Sequence, residues 1–184
     1  MAHYFIAIQL PENLQVYFSA WQTELQTKLT YKQWTHQKDL HVTLQFLGEV
    51  DDNKIRQLTE ALDELERVSS FDTKVGSLGI FGNPNKPRVL WAGVNKTNAL
   101  AQLQKRVESC TKTVGFPEEN RAYTPHITLA KKWNGTGSLD RNTIEKLKEA
   151  WNETRPMTVE EVVLYRIHPK QTPKYEVVKQ YKLR

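Results

Sequence analysis

His41-Val-Thr-Leu44 returns as His126-Ile-Thr-Leu129, 85 residues later, in a chain that has five histidines in all. A β-branched residue between His and Thr favours extended backbone. On a strand, side chains alternate between faces. Each copy therefore describes a strand with a polar His/Thr face and an apolar face turned to a core. A fold that uses both must supply two such strands, each with its own apolar cover.

The surrounding sequence supplies them in the same order twice. Leu14, Phe18, Trp21, Leu25 and Leu29 recur at helical spacing after Pro11, which suits a first helical position, so a helix is expected over residues 11–29. A strand follows at 40–47, and Asp51 caps a second helix on whose face Ile55, Leu58, Leu62 and Leu65 gather. Extended segments at 71–81 and 88–95 flank the turn-rich Asn-Pro-Asn-Lys-Pro of residues 83–87. The second half reads helix at 98–114 closed by Gly115, strand at 125–131, helix at 139–151 introduced by Ser138, and strands at 157–167 and 174–183. Trp91 and Val177, 86 residues apart, keep nearly the same offset as the two histidines. Antiparallel strands interleaved with helices indicate the α+β class. One domain over residues 1–184 is expected, with pseudo-repeats at about 11–95 and 98–183.

Composition narrows the function classes. No apolar run approaches the roughly 18 residues that span a bilayer. The first ten residues lack the basic flank and apolar length of a secretory signal and read as a strand, so a cytoplasmic protein without membrane association is expected. Cys110 is the one cysteine, which excludes an internal disulfide and a cysteine-rich metal site. It shares an apolar stripe with Leu103, Val107 and Val114 and reads as helix core. A net charge of +5 and a pI near 9.2 favour an anionic partner without identifying one.

Strand parity places His41, Thr43 and Gln45 on one face and Val42, Leu44 and Phe46 on the other. The same parity pairs His126 with Thr128. Two histidines across a cleft suit a phosphodiester: one neutral imidazole takes a proton from the attacking oxygen while one imidazolium gives a proton to the leaving oxygen. The threonine hydroxyls donate to non-bridging oxygens where charge accumulates. This scheme calls for no metal and no cofactor. The chain has no G-x-S-x-G, Walker A loop or H-E-x-x-H. A single H-x-T would read as structural, since Thr is a strand former, but a repeated scaffold has no packing need for the same His and Thr on its polar face.

The sequence resembles the two-histidine phosphoesterase superfamily and, within it, the bacterial and archaeal RNA 2′,3′-cyclic phosphodiesterases once called 2′-5′ RNA ligases. The likeness runs through Phe-Ile-Ala-Ile-Gln-Leu-Pro at 5–11, Leu-His-Val-Thr-Leu-Gln-Phe-Leu-Gly-Glu-Val at 40–50, Pro-Arg-Val-Leu-Trp-Ala-Gly at 87–93 and Pro-His-Ile-Thr-Leu-Ala-Lys at 125–131. It implies a bilobal, pseudo-symmetric α+β fold with the site in a groove between two antiparallel sheets and helices outside. It implies hydrolysis of RNA 2′,3′-cyclic phosphate ends to 2′-phosphomonoesters. His126, with Thr128, is then the proton acceptor, His41 the proton donor, and Thr43 a phosphate ligand; pseudo-symmetry leaves the two histidine roles exchangeable. Relatives commonly carry Arg where this chain has Lys131, and Lys131 reaches the phosphate only if its strand ends or bulges there.

Other residues are weaker candidates. His3, His36 and His168 have no repeated counterpart. Trp34, Phe46, Tyr123 and Trp133 lie near the motifs and are available for base stacking, and Arg88, Arg121 and Arg166 for a basic lip. Three alternatives remain open: the same chemistry on a small cyclic nucleotide, a 2′-5′ oligonucleotide or an ADP-ribose cyclic phosphate; a non-catalytic RNA-binding module; and a metal site on His41 and His126. The expected partner is RNA with a cyclic phosphate end, tRNA fragments included, and the expected state is a monomer.

Overall fold

The computed structural model describes Met1–Arg184. In chain order the elements are β1 (Ala2–Gln9), α1 (Glu12–Leu25), β2 (Tyr31–Trp34), β3 (His41–Val50), α2 (Asp52–Ala61), β4 (Phe71–Asn83), β5 (Lys86–Val94), α3 (Asn98–Lys112), β6 (His126–Trp133), α4 (Arg141–Ala150), β7 (Thr154–Val159), β8 (Glu161–Ile167) and β9 (Tyr175–Lys182). Side-chain caps start three of the helices. Asp51 accepts from Lys54 N at 2.8 Å, and Thr97 accepts from Leu100 N at 3.1 Å. For α4 the cap is Asp140, which accepts from Asn142 N at 3.0 Å, rather than the expected Ser138. Its carboxylate also meets the positive end of the helix dipole, which a serine hydroxyl does not.

The architecture is α+β, with every strand pairing antiparallel. The strands run in the order β7-β4-β5-β6-β3-β1-β8-β9, with β2 added to β6. The two sheets expected from the sequence are thus two halves of one, β7-β4-β5-β6 and β3-β1-β8-β9, joined by a single bridge between Val42 and Ile127. They part beyond that bridge because β2 takes the edge of β6, with Gln33 opposite Lys131 and Trp34 opposite Ala130. A four-residue strand carries too little periodicity to be read from sequence.

The halves do not follow the linear repeat. The β4–β5 hairpin lies beside β6, so the second motif strand is flanked by strands from the first half of the chain. The segment at 157–167, expected as one strand, divides at Glu160 into β7 and β8, which belong to opposite halves of the sheet. Adjacent Cα atoms are only about 3.8 Å apart, so this one-residue link requires the sheet to curl until β7 and β8 approach. Trp91 and Val177 consequently occupy different places: Trp91 pairs with Thr128 of β6, whereas Val177 pairs with Tyr165 of β8, two strands removed from β3.

Helices cover the convex face. Phe18 of α1, Leu103 and Val107 of α3, and Val42, Leu44, Ile127 and Leu129 of the motif strands share one continuous apolar core, which includes Cys110 as expected. The concave face has its own small cluster of Phe5, Ala7, Val163 and Tyr165. This second cluster is the dry floor on which the first histidine stands.

Candidate active site

The bridge between the motif strands sets the site. Val42 opposite Ile127 in antiparallel register brings His41 level with Thr128 and Thr43 level with His126. Val42 and Ile127 are buried in the core, while the four polar side chains are half-buried on the concave face. The two motifs thereby meet about a local two-fold axis through their own middle residues.

Each strand carries a β-bulge just after its threonine. In β3, Thr43 pairs with Ala7 and Gln45 with Ile6, leaving Leu44 as the extra residue. In β6, Thr128 pairs with Trp91 and Ala130 with Leu90, leaving Leu129. A bulge shifts strand parity by one. Lys131, at an odd offset from His126, therefore joins the histidine face, which is the condition under which the sequence allowed it a phosphate contact. The same shift corrects the expected facing of the first strand. Gln45 turns inward at 8 % exposure and accepts the Thr111 hydroxyl of α3 at 2.8 Å, while Phe46 turns out at 63 % exposure.

Buried glutamines on the helices behind satisfy the bulge carbonyls. Gln22 of α1 donates through Nε2 to Leu129 O and Thr35 O, both at 2.9 Å. Gln104 of α3 donates to Leu44 O at 3.4 Å. Each helix thus pins the bulge of the other half's motif strand. Sequence reading passed over both glutamines because they interrupt apolar helix faces and carry no motif.

The imidazoles are held alike. His41 Nδ1 donates to Asp39 O at 2.7 Å and His126 Nδ1 to Thr124 O at 2.8 Å, each a main-chain carbonyl two residues upstream. With the proton on Nδ1, Nε2 is left as the atom that accepts or gives a proton. His41 Nε2 lies 3.0 Å from Thr43 Oγ1, so in the neutral form the hydroxyl donates to it. Aromatic rings wall both: Phe5 and Tyr175 stand 4.9 and 5.3 Å from the His41 ring, and Phe81 4.8 Å from His126. Burial accordingly pushes His41 down to about 4 and lowers His126 as well. For His41 the Asp39 carbonyl and carboxylate oppose that shift, while His126 and Lys131 add to it. His126 has only the Thr124 carbonyl working in its favour. The two histidines match in geometry and differ in charge environment.

Trp91 borders His126, with ring centroids 6.3 Å apart, and lies over Gly79. A Cβ at Gly79 would fall inside the contact distance of the Trp91 ring, so glycine is what lets the indole lie flat there. Gly79→Ala is expected to lower unfolding free energy by about 1–3 kcal/mol through overpacking, as a thermal melt would show; an unchanged melt would mean Trp91 yields without cost.

Two cavities adjoin the histidines. One, of about 570 Å³, opens beside Thr43 and His126 and is lined by Phe46, Phe81, Tyr123, Arg88 and Arg121 among others. The other, of about 120 Å³, lies on the His41 side and includes Trp34, His36, Lys131 and Tyr175. Trp133 packs edge-on against Tyr31, and Arg166 pairs with Tyr4 and Glu176 in the sheet; neither lines these cavities. His3 sits near Glu49, and His168 is 2.9 Å from Glu176; neither lines these cavities.

The family model described as the 2′-5′ RNA ligase superfamily matches residues 10–171. The chain belongs to this superfamily. A Bacillus subtilis protein named RNA 2′,3′-cyclic phosphodiesterase is 34% identical over 184 residues, covering 98% of this chain and 96% of its own length. A Geobacillus stearothermophilus protein of the same name is also 34% identical and covers 99% of the chain, which spans only 57% of that relative. Among solved structures, Escherichia coli LigT complexed with 3′-AMP gives a TM-score of 0.76 at 24% identity, covering 99% of this chain and 98% of LigT. TT0787 of Thermus thermophilus gives 0.78 at 22% identity, with coverage of 99% and 98%. These likenesses show that the chain shares its fold with LigT and TT0787. In this member no helix is long and apolar enough to cross a membrane.

Proposed function

We propose that this protein hydrolyses 2′,3′-cyclic phosphate ends of RNA to 2′-phosphomonoesters by acid–base chemistry between two imidazoles. The observation that carries the reading is the pair of H-x-T strands joined at their middle residues, each with its Nδ1 anchored and its Nε2 left for the groove. Curated relatives that share a third of the sequence bear the name of this activity.

His126 Nε2 takes a proton from water as its oxygen attacks phosphorus; the P–O3′ bond breaks, and His41 Nε2 gives a proton to the departing O3′. The 2′-phosphate and a free 3′-hydroxyl remain. Asp39 favours an imidazolium at His41 but is outweighed in the free enzyme by burial, with His126 and Lys131 adding to the shift, so the assigned direction rests on the family likeness rather than on the resting charges. Thr43, Thr128 and Lys131 receive the phosphate oxygens, the lysine supplying charge without the two-pronged geometry of arginine. The aromatic and arginine-lined cavity beside His126 suits a terminal nucleoside. We read the enzyme as a cytoplasmic monomer acting on RNA fragments, those of tRNA included.

The pH dependence follows from the lowered imidazoles. The free enzyme needs one neutral and one protonated histidine, and both titrate below the ordinary value of 6.5. The profile of kcat/KM is therefore expected to be a bell with its maximum below pH 6.5, since kcat/KM reports the free enzyme. A bound phosphate anion raises both imidazoles, so the kcat maximum is expected at higher pH. A kcat/KM maximum above pH 7 would contradict the charge environments described. Substrate class is tested by offering, at equal concentration, RNA oligomers with cyclic phosphate ends, 2′-5′ oligonucleotides, small cyclic nucleotides and ADP-ribose cyclic phosphate. Preference for the first supports the reading; turnover of another class alone overturns it.

A further inference from the structure

The cavity on the His41 side is not accounted for by a single cyclic phosphate. Lys131 reaches it from β6 and Lys174 from the segment just before β9, and Trp34 and His36 form part of its wall. Partial burial first, then Lys174 and Lys132, hold the Lys131 ammonium below its usual range, so the two cavity lysines are close enough to repel. The backbone of Lys174 is anchored. The Asp39 side chain, 3 % exposed, accepts Lys174 N at 2.8 Å and Tyr175 N at 3.3 Å, pinning the start of β9. The same residue's carbonyl holds His41 Nδ1 at 2.7 Å, so one buried acid fixes both the cavity wall and the histidine. Two cations in the wall of one cavity beside an aromatic ring, the backbone of one of them pinned by a buried carboxylate, are stabilised when an anion enters between them.

We propose that the cavity of Lys131, Lys174, Trp34 and His36 is a subsite for the internucleotide phosphate that precedes the cyclic phosphate, making the enzyme selective for oligonucleotide ends over cyclic mononucleotides. This rests on the reading that the groove takes RNA cyclic phosphates. Lys131 lies between the two positions, on the histidine face and in the cavity wall, whereas Lys174 serves the upstream phosphate. Trp34 offers a face to the base or ribose attached there. His36 accepts from Lys38 N through Nδ1, leaving Nε2 as a neutral donor to a phosphate oxygen.

The test compares binding of a dinucleotide carrying a terminal 2′-phosphate with that of a nucleoside 2′-phosphate, by calorimetry across a salt series, in wild type, Lys174→Gln and Lys174→Arg. These product-like ligands need no turnover, so failure of the subsite can be told from failure of the assigned reaction. Wild type is expected to prefer the dinucleotide by about tenfold or more, with a log–log salt slope steeper by about 0.7 for the added phosphate. Lys174→Gln is expected to erase most of the preference and the slope difference, and Lys174→Arg to retain them. A matching ratio of kcat/KM values for the corresponding cyclic substrates extends the result to catalysis. Equal affinity of wild type for the two ligands would overturn the proposal. So would an equal weakening of both by Lys174→Gln, or a preference untouched by it, with melting curves confirming that the variants fold.

Discussion

His126→Ala is expected to lower kcat on an RNA 2′,3′-cyclic phosphate by on the order of 10²–10⁴-fold, and His41→Ala by a similar factor, because each removes one of two positioned proton-transfer groups. The fold should survive both. Each imidazole stands on the concave face, and its Nδ1 partner is a main-chain carbonyl at the groove edge rather than a core group. The double variant should lose far less than the product of the single losses, since the two groups act as a unit. Thermal melts and rates measured together check this. A single variant that keeps more than about a tenth of wild-type kcat would remove that histidine from the chemistry.

Gln22→Leu is expected to have the next largest effect, and through both stability and rate. The side chain is nearly the same size, so the change removes hydrogen bonds rather than volume. Leu129 O keeps Thr35 N at 3.0 Å, but Thr35 O loses its Gln22 donor in a partly buried setting. The expected cost is about 1–3 kcal/mol of unfolding free energy. Its catalytic effect should fall on KM as well as kcat, because the bulge at Leu129 is what turns Lys131 onto the histidine face. Urea titration and steady-state kinetics on the same variant separate the two. A loss of stability without any change in KM would mean that the bulge holds its shape unaided.

Much of this arrangement was legible in the sequence. Helical spacing in α1, the Asp51 cap and the repeated H-x-T strands are local signals, and the structure keeps them, although α1 ends at Leu25 and Leu29 falls in the link to β2. Three features escaped because their causes are not local. The division at Glu160 serves a curled sheet whose edges must meet, which no window of residues records. The bulges at Leu44 and Leu129 depend on carbonyls satisfied by Gln22 and Gln104 from other elements, and simple alternation therefore misplaced Gln45 and Phe46. Asp39 looked like an ordinary polar residue before a strand. Its importance comes from Lys174 and Tyr175, which lie more than a hundred residues away in the chain. In the β6 sequence Leu-Ala-Lys, a leucine and an alanine side by side could have hinted at broken alternation, since both are buried.

The charge difference between the two histidines has the broadest consequence. Geometry alone makes the site nearly symmetric, and a symmetric site would have no preferred direction of attack. Asp39 on one side, with Lys131 and Lys174 near it, and Phe46, Phe81 and Tyr123 on the other, break that symmetry. Under the proposed reaction, these differences decide how the substrate lies across the two motifs.

The central claim is tested most directly by incubating the protein in chelator with a short RNA ending in a 2′,3′-cyclic phosphate and following the ³¹P resonance. Conversion of the cyclic signal to a 2′-phosphomonoester, with no 3′-phosphomonoester, is the predicted result. A 3′-phosphate product would mean that the other P–O bond breaks, and an unchanged cyclic resonance would contradict the assigned reaction.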